Sequence, residues 1–170
     1  MRRKDCLRRV TMFALLIFVL AGLVRPAKAE DGFSFAVYEV VNCNKPGAKS
    51  MALKGSTQKH CLASKPIVDQ TQLKSASSHT SDDGQPQLWL TLTPEGAVVM
   101  QKATERIMQE HPGRDGHLAI VVNGQLLHTP RLMNALSDGI VWSGKGLTQK
   151  EIDEIKSFLE RKTPRNQAKA

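Results

Sequence analysis

The sequence predicts an α+β fold: a mostly antiparallel sheet with two helices packed on one face, a ferredoxin-like sandwich. Three observations lead there. Thr93-Pro94-Glu95 and Thr148-Gln149-Lys150-Glu151 each open a segment whose apolar residues recur at helical spacing. Short runs rich in β-branched and aromatic residues fill most of the remainder. Asn123-Gly124 joins two such runs as a two-residue hairpin turn, because this pair suits the two positive-φ positions of a type I′ turn. The order is strands, helix, hairpin, strand, helix, with neither a repeat nor a low-complexity linker, which fits helices layered on one sheet face.

Residues 33–40 alternate and carry aromatic and β-branched side chains, so they form the first strand. Residues 44–59 are polar and glycine-rich without clear periodicity, and are expected to be a loop. Ile67-Val68-Asp69 is a short extended piece, and residues 73–92 form a hairpin around the turn cluster Ser81-Asp82-Asp83-Gly84-Gln85-Pro86. Thr93 caps the first helix, Pro94 takes its first position and Glu95 complements its dipole. Ala97, Met100, Thr104, Ile107 and Met108 make the buried stripe, and His111-Pro112-Gly113 ends it. In the hairpin that follows, the turn sets Val122 opposite Gln125. Leu118, Ile120, Val122 and Leu127 then share one face, and Ala119, Val121, Leu126 and His128 the other, with His128 across from Ala119. Residues 132–136 fit either a helical turn or an irregular crossing, and residues 139–144 a short strand. Thr148 and Glu151 form a capping box for a second helix, whose stripe is Ile152, Ile155, Phe158 and Leu159 and whose end is Arg161-Lys162.

The ends are expected to lie outside this fold. Arg2, Arg3, Lys4, Arg8 and Arg9 precede an apolar run over residues 12–24, and Ala27-Lys28-Ala29 supplies a small-x-small cleavage pattern. The run is too short for a bilayer, which needs about 20 residues. Residues 1–29 therefore read as a signal peptide cut between Ala29 and Glu30. Residues 30–162 read as one domain and residues 163–170 as a disordered tail. The expected location is the periplasm, with no stable membrane insertion after cleavage. The formal charge of the chain is +8, but residues 1–29 hold seven of its basic and one of its acidic residues. The remaining 17 basic and 15 acidic residues nearly cancel, so no nucleic-acid partner is expected.

Cys6 leaves with the signal, so Cys43 and Cys61 remain in a compartment that permits oxidation and are expected to form a disulfide closing loop 43–61. Such closure is worth roughly 3 kcal/mol in the chain-entropy model. A metal site from Cys43, His60 and Cys61 is the weaker reading, with three soft ligands and no Cys-x-x-Cys pair. No metal and no cofactor are expected. Nucleophile elbow, zincin, phosphate-loop and dinucleotide motifs are all missing, and no catalytic residue is assigned.

Leu90-Thr-Leu-Thr-Pro-Glu-Gly-Ala97, the 118–124 hairpin, Pro130, and Trp142-Ser-Gly144 followed by Thr148 and Glu151 appear in a telling order. Over residues 88–160 the chain resembles the head subdomain of the first periplasmic domain of SecD, the protein-export accessory subunit. Residues 33–40 and 67–78 fit that pattern more loosely. The resemblance implies a non-catalytic periplasmic module whose partner is an unfolded polypeptide or an envelope protein. His128-Thr129 stand where the family usually has small residues, Ile152 stands where it usually has alanine, and the disulfide loop reads as an addition. The resembling stretch includes none of the family's transmembrane helices, so a link to export is expected through binding alone.

One feature of the hairpin needs a cause: it is apolar on both faces. Trp89 alternates with Leu88, Leu90 and Leu92, so its strand is also apolar on both sides. Trp89, Ala119, Val121, Leu126 and His128 are therefore the candidate binding face. Residues 43–80 folding back over that face would instead give a closed scaffold, and a small envelope hydrolase is the third reading. Exposure of Val121, Leu126 and Trp89 separates the first two.

Overall fold

The structure is a computed structural model that describes residues 33–111, 116–143 and 146–162. The expected signal peptide with its Ala29–Glu30 cleavage point, and the expected 163–170 tail, lie outside the described residues. So do Pro112 and Gly113. Among the described residues the strands are β1 (Phe35–Glu39), β2 (Lys49–Ala52), β3 (Lys59–Leu62), β4 (Val68–Asp69), β5 (Leu73–Thr80), β6 (Pro86–Leu92), β7 (Leu118–Val122), β8 (Gln125–His128) and β9 (Ile140–Trp142). The helices are α1 (Pro94–Glu110) and α2 (Gln149–Lys162). The α+β class and the antiparallel pairing agree with the sequence reading.

The strands are divided among three sheets: β4-β1-β7-β8, β2-β3 and β5-β6-β9. The main core lies between the four-stranded and three-stranded sheets and the two helices. Phe35, Val37, Leu118, Ile120, Val122 and Leu127 enter it from the first sheet, and Leu88, Leu90, Leu92 and Val141 from the second. Met100 and Ile107 of α1 join them, as do Ile152, Ile155 and Leu159 of α2. Period-2 and period-3.6 stripes thus meet in one place, which is why each element needs the others.

The helix starts follow local chemistry. Thr93 accepts a hydrogen bond from the Gly96 N–H at 3.1 Å. Glu151 accepts from the Thr148 N–H at 2.8 Å, and Thr148 Oγ1 accepts in return from the Glu151 N–H at 3.3 Å. The Thr148 N–H foremost holds the Glu151 carboxyl below its ordinary range; burial opposes this, while Lys54 and the Thr148 hydroxyl lower it further. At the other end of α1 the His111 N–H donates to the Ile107 carbonyl. Gly139, at φ 67°, lets β9 approach α1: a Cβ there would stand 2.9 Å from Ala97 Cβ.

Two expectations are corrected. Residues 49–62 are the hairpin β2–β3, not an irregular loop. Val122 does pair with Gln125, through a turn with positive φ at Asn123 and Gly124, but a bulge between Ile120 and Val121 then sets His128 opposite Ile120 instead of Ala119. The extra residue keeps Leu127 in the core and turns His128 towards the second sheet. Residues 132–136 form an irregular crossing, with Leu132 buried.

Candidate binding face

The Cys43–Cys61 disulfide is present, with its Cα atoms 5.1 Å apart. It ties the approach to β2 onto β3. The β2–β3 hairpin lies over the second face of β7 and β8. There Leu62, Ala119, Val121 and Leu126 form a smaller core, with Tyr38, Val40, Met51 and Leu53 packed around it. Leu126 is 1% exposed, and the Lys54 N–H donates to its carbonyl at 2.8 Å. Lys54 Nζ also reaches Glu151 at 3.1 Å, so the hairpin is linked to the start of α2. This answers why the 118–128 hairpin is apolar on both sides. One face joins the main core and the other carries the clamped hairpin.

The five candidate residues are therefore not one surface. Ala119, Val121 and Leu126 are covered, because Met51, Leu53 and Leu62 of the clamped hairpin segment pack on them together with Tyr38 and Val40. Trp89 is 37% exposed and His128 is half-buried, and these two belong to a different surface.

That surface is the outer face of the β5-β6-β9 sheet. Leu88, Leu90 and Val141 point inward, so Trp89 and its direct cross-strand partner Trp142 point outward together. Trp142 is 40% exposed, and Ile140 extends the apolar surface along β9. The His79 ring lies 4.4 Å from the Trp89 ring, and the His128 ring meets Trp142 edge-on at 5.2 Å. The result is a row of four rings running from β5 across β6 and β9 to β8. Ser75 and Ser77 on β5, and Gln87 and Thr91 on β6, occupy the same face. No Asp, Glu, Lys or Arg side chain stands among these strand positions.

Electrostatics agree with a neutral platform. Burial lowers the His128 pKa, so this ring is neutral at neutral pH. His79 is held in place by Ser77 Oγ, 3.2 Å from its Nε2. Ser143 closes the end of the sheet: its N–H donates to the Leu88 carbonyl at 2.9 Å, and its hydroxyl accepts from the Leu88 N–H at 3.2 Å. A neutral, flat, aromatic surface flanked by hydroxyls and amides can stack on apolar or planar groups and exclude charged ones.

Elsewhere, Glu39, Glu110 and His111 place ligand-type atoms near one another. Arg106 already spans both carboxylates, at 2.7 Å from Glu39 and 2.8 Å from Glu110. These hydrogen bonds raise the Arg106 pKa, Glu39 first, and Arg106 in turn lowers that of Glu110. The cation of this cluster is the guanidinium.

Sequence reasoning paired Trp89 with the wrong neighbours. The signal for the right ones was the matching alternation of Leu88-Trp89-Leu90 and Ile140-Val141-Trp142, which places a tryptophan on the same side of each strand.

The model of the SecDF P1 head subdomain family matches residues 47–160, which include the whole aromatic row. Two solved structures share the fold. One, described as a membrane component SecDF that enhances protein export, has 22% identity and a TM-score of 0.54, and the alignment covers 74% of this chain and 61% of that one. The other, SecDF in a super-membrane-facing form, has 22% identity and a TM-score of 0.55, covering 74% of this chain and 18% of that one. This chain thus spans less than two thirds of either. No curated protein matches it.

Proposed function

The chain belongs to the SecDF P1 head subdomain family, and from that premise we propose that it is a non-catalytic, export-related module of the periplasm that binds extended polypeptide. The observation that carries this reading is the exposed Trp89–Trp142 pair on an uncharged sheet face. Soluble domains seldom present two adjacent tryptophans to water without a partner. An unfolded chain offers the matching chemistry: apolar side chains for the rings, and backbone amides for the neighbouring Ser75, Ser77, Gln87 and Thr91. Contacts between aromatic rings add only about 0.5–1.5 kcal/mol each beyond area burial, so the affinity suits transient capture and release.

The basic residues within 2–9, the apolar run over residues 12–24 and the Ala27-Lys28-Ala29 pattern support the remaining part of the reading. Residues 1–29 serve as a cleaved signal peptide and residues 30–162 as the working domain. Among the described residues no helix is long and apolar enough to cross a membrane. The closed-scaffold reading draws on a specific observation, the cover over Ala119, Val121 and Leu126. It applies to the four-stranded sheet and leaves the three-stranded sheet's outer face free to bind.

The test is equilibrium binding of a reduced, carboxymethylated, unfolded polypeptide carrying a fluorophore. The Trp89→Ser/Trp142→Ser variant is expected to lose at least tenfold in affinity while keeping a cooperative melt, since both side chains lie outside the core. An affinity equal to the parent's would overturn the proposal.

A further inference from the structure

The edges of the sheets differ in how they are finished. β4 is two residues long and β9 three. The free side of β8 is occupied by residues 53–54, through a parallel bridge from Leu53 to Leu126 and the Lys54 N–H to Leu126 carbonyl bond. β5 is different. It runs for eight residues, contains no proline, carries one charge at Lys74, and among the described residues pairs only with β6. A strand edge that is long and unblunted is a template for another strand.

The pairing shows which groups are free. Leu88 and Leu92 direct their backbone to the β9 side, where the Leu88 carbonyl accepts from Ser143 and the Leu92 N–H donates to Gly139. Alternate residues point opposite ways, so Gln87, Trp89 and Thr91 face β5 and bond with His79, Ser77 and Ser75. Ala76, Ser78 and Thr80 therefore aim their N–H and C=O groups away from the sheet, and Ser78 and Thr80 are exposed.

We infer that the free edge of β5 takes an extended, uncharged polypeptide segment as an added strand, paired to the backbone of Ala76, Ser78 and Thr80. The inference rests on the polypeptide-binding reading above and assigns where the backbone of that ligand sits. Only an extended chain presents alternating N–H and C=O groups at strand spacing to match such an edge. The side-chain floor supports the same ligand. Ser75 and Ser77 are small, so a large apolar side chain of the added strand can lie across them towards Trp89. A charged one would lose water there and find no counter-charge.

The probe is a fluorescein-labelled ten-residue peptide of alternating threonine and valine, titrated into the protein of residues 30–170. Ser78→Pro removes an outward N–H that takes no part in the β5–β6 pairing, and proline is tolerated on such an edge. The parent is expected to bind, and Ser78→Pro to bind at least tenfold more weakly with an unchanged circular dichroism spectrum. The same peptide N-methylated at every residue keeps its side chains but lacks backbone donors, and is expected not to bind the parent. This second arm decides the matter if Ser78→Pro unfolds. Full binding of the N-methylated peptide, or of the plain peptide to folded Ser78→Pro, overturns the edge assignment. If Trp89→Ser/Trp142→Ser loses binding in that case, the face reading survives. A parent that binds neither peptide nor unfolded polypeptide overturns both. Sedimentation showing a stable dimer that Ser78→Pro dissociates would assign the edge to a second copy, against the inference.

Discussion

Replacing Leu126 by alanine probes the cover over the second face of the four-stranded sheet. Leu126 is 1% exposed and packs with Leu62, Ala119 and Val121 beneath the disulfide-clamped hairpin. Truncating a buried leucine costs about 2–5 kcal/mol, and this small cluster of four, walled by half-buried side chains, can relax partly into the gap. The lower-middle part of that range, about 3 kcal/mol, is the expectation. For a domain of this size each kcal/mol moves the melting temperature by about 4 °C, so Leu126→Ala should melt about 12 °C below the parent. Leu126→Asp should fall further, because it adds an unpaired carboxylate to the same site. The assay is thermal unfolding followed by circular dichroism with the disulfide intact. Leu62→Ala should give a similar loss, and the double variant less than the sum, because both side chains line one cavity. A Leu126→Asp protein melting within about 4 °C of the parent would refute the reasoning, since it would mean that water reaches Leu126.

Two further outcomes are expected. Cys43→Ser/Cys61→Ser should lose roughly 3 kcal/mol, or about 12 °C, with the loss reproduced by a reducing agent in the parent; an unchanged melt would show that the clamp contributes nothing. Burial lowers the His128 pKa in the folded state, so the folded protein binds fewer protons than the unfolded chain below the ordinary histidine value of about 6.5. The stability is then complete above that pH and declines as pH falls beneath it. His128→Phe should remove this part of the decline in urea melts between pH 7.5 and 5, and identical pH slopes for variant and parent would contradict the assignment.

The elements most legible in the sequence were those fixed by local chemistry. Thr93, the Thr148–Glu151 box and the Asn123-Gly124 turn each act within a few residues of themselves, and each is where the pattern placed it. The Cys43–Cys61 pairing was legible for another reason, since assigning Cys6 to an expected signal peptide left one possible pair. The β2–β3 hairpin was not legible. Its strands Lys49-Ser-Met-Ala52 and Lys59-His-Cys-Leu62 form a thin lid, so half of their side chains face water and the apolar alternation is weak. The bulge between Ile120 and Val121 has no turn residue to announce it, and it redirected His128. The candidate face was read half correctly. Apolar residues on both sides of two strands were visible, but which strand covers which depends on pairings between residues far apart in the chain. Trp89 meets Trp142 only once the β6–β9 register is known.

The chain contains two tryptophans, and both stand on the proposed face. Intrinsic tryptophan fluorescence therefore reports that face and nothing else. The most direct test of the account is an emission titration of the native protein with a tryptophan-free, reduced and carboxymethylated unfolded polypeptide. Binding across the Trp89–Trp142 pair should remove water from both rings, giving a saturable blue shift and protection from acrylamide quenching. Saturable binding seen by the fluorophore on the polypeptide, with tryptophan emission and quenching unchanged throughout, would contradict it.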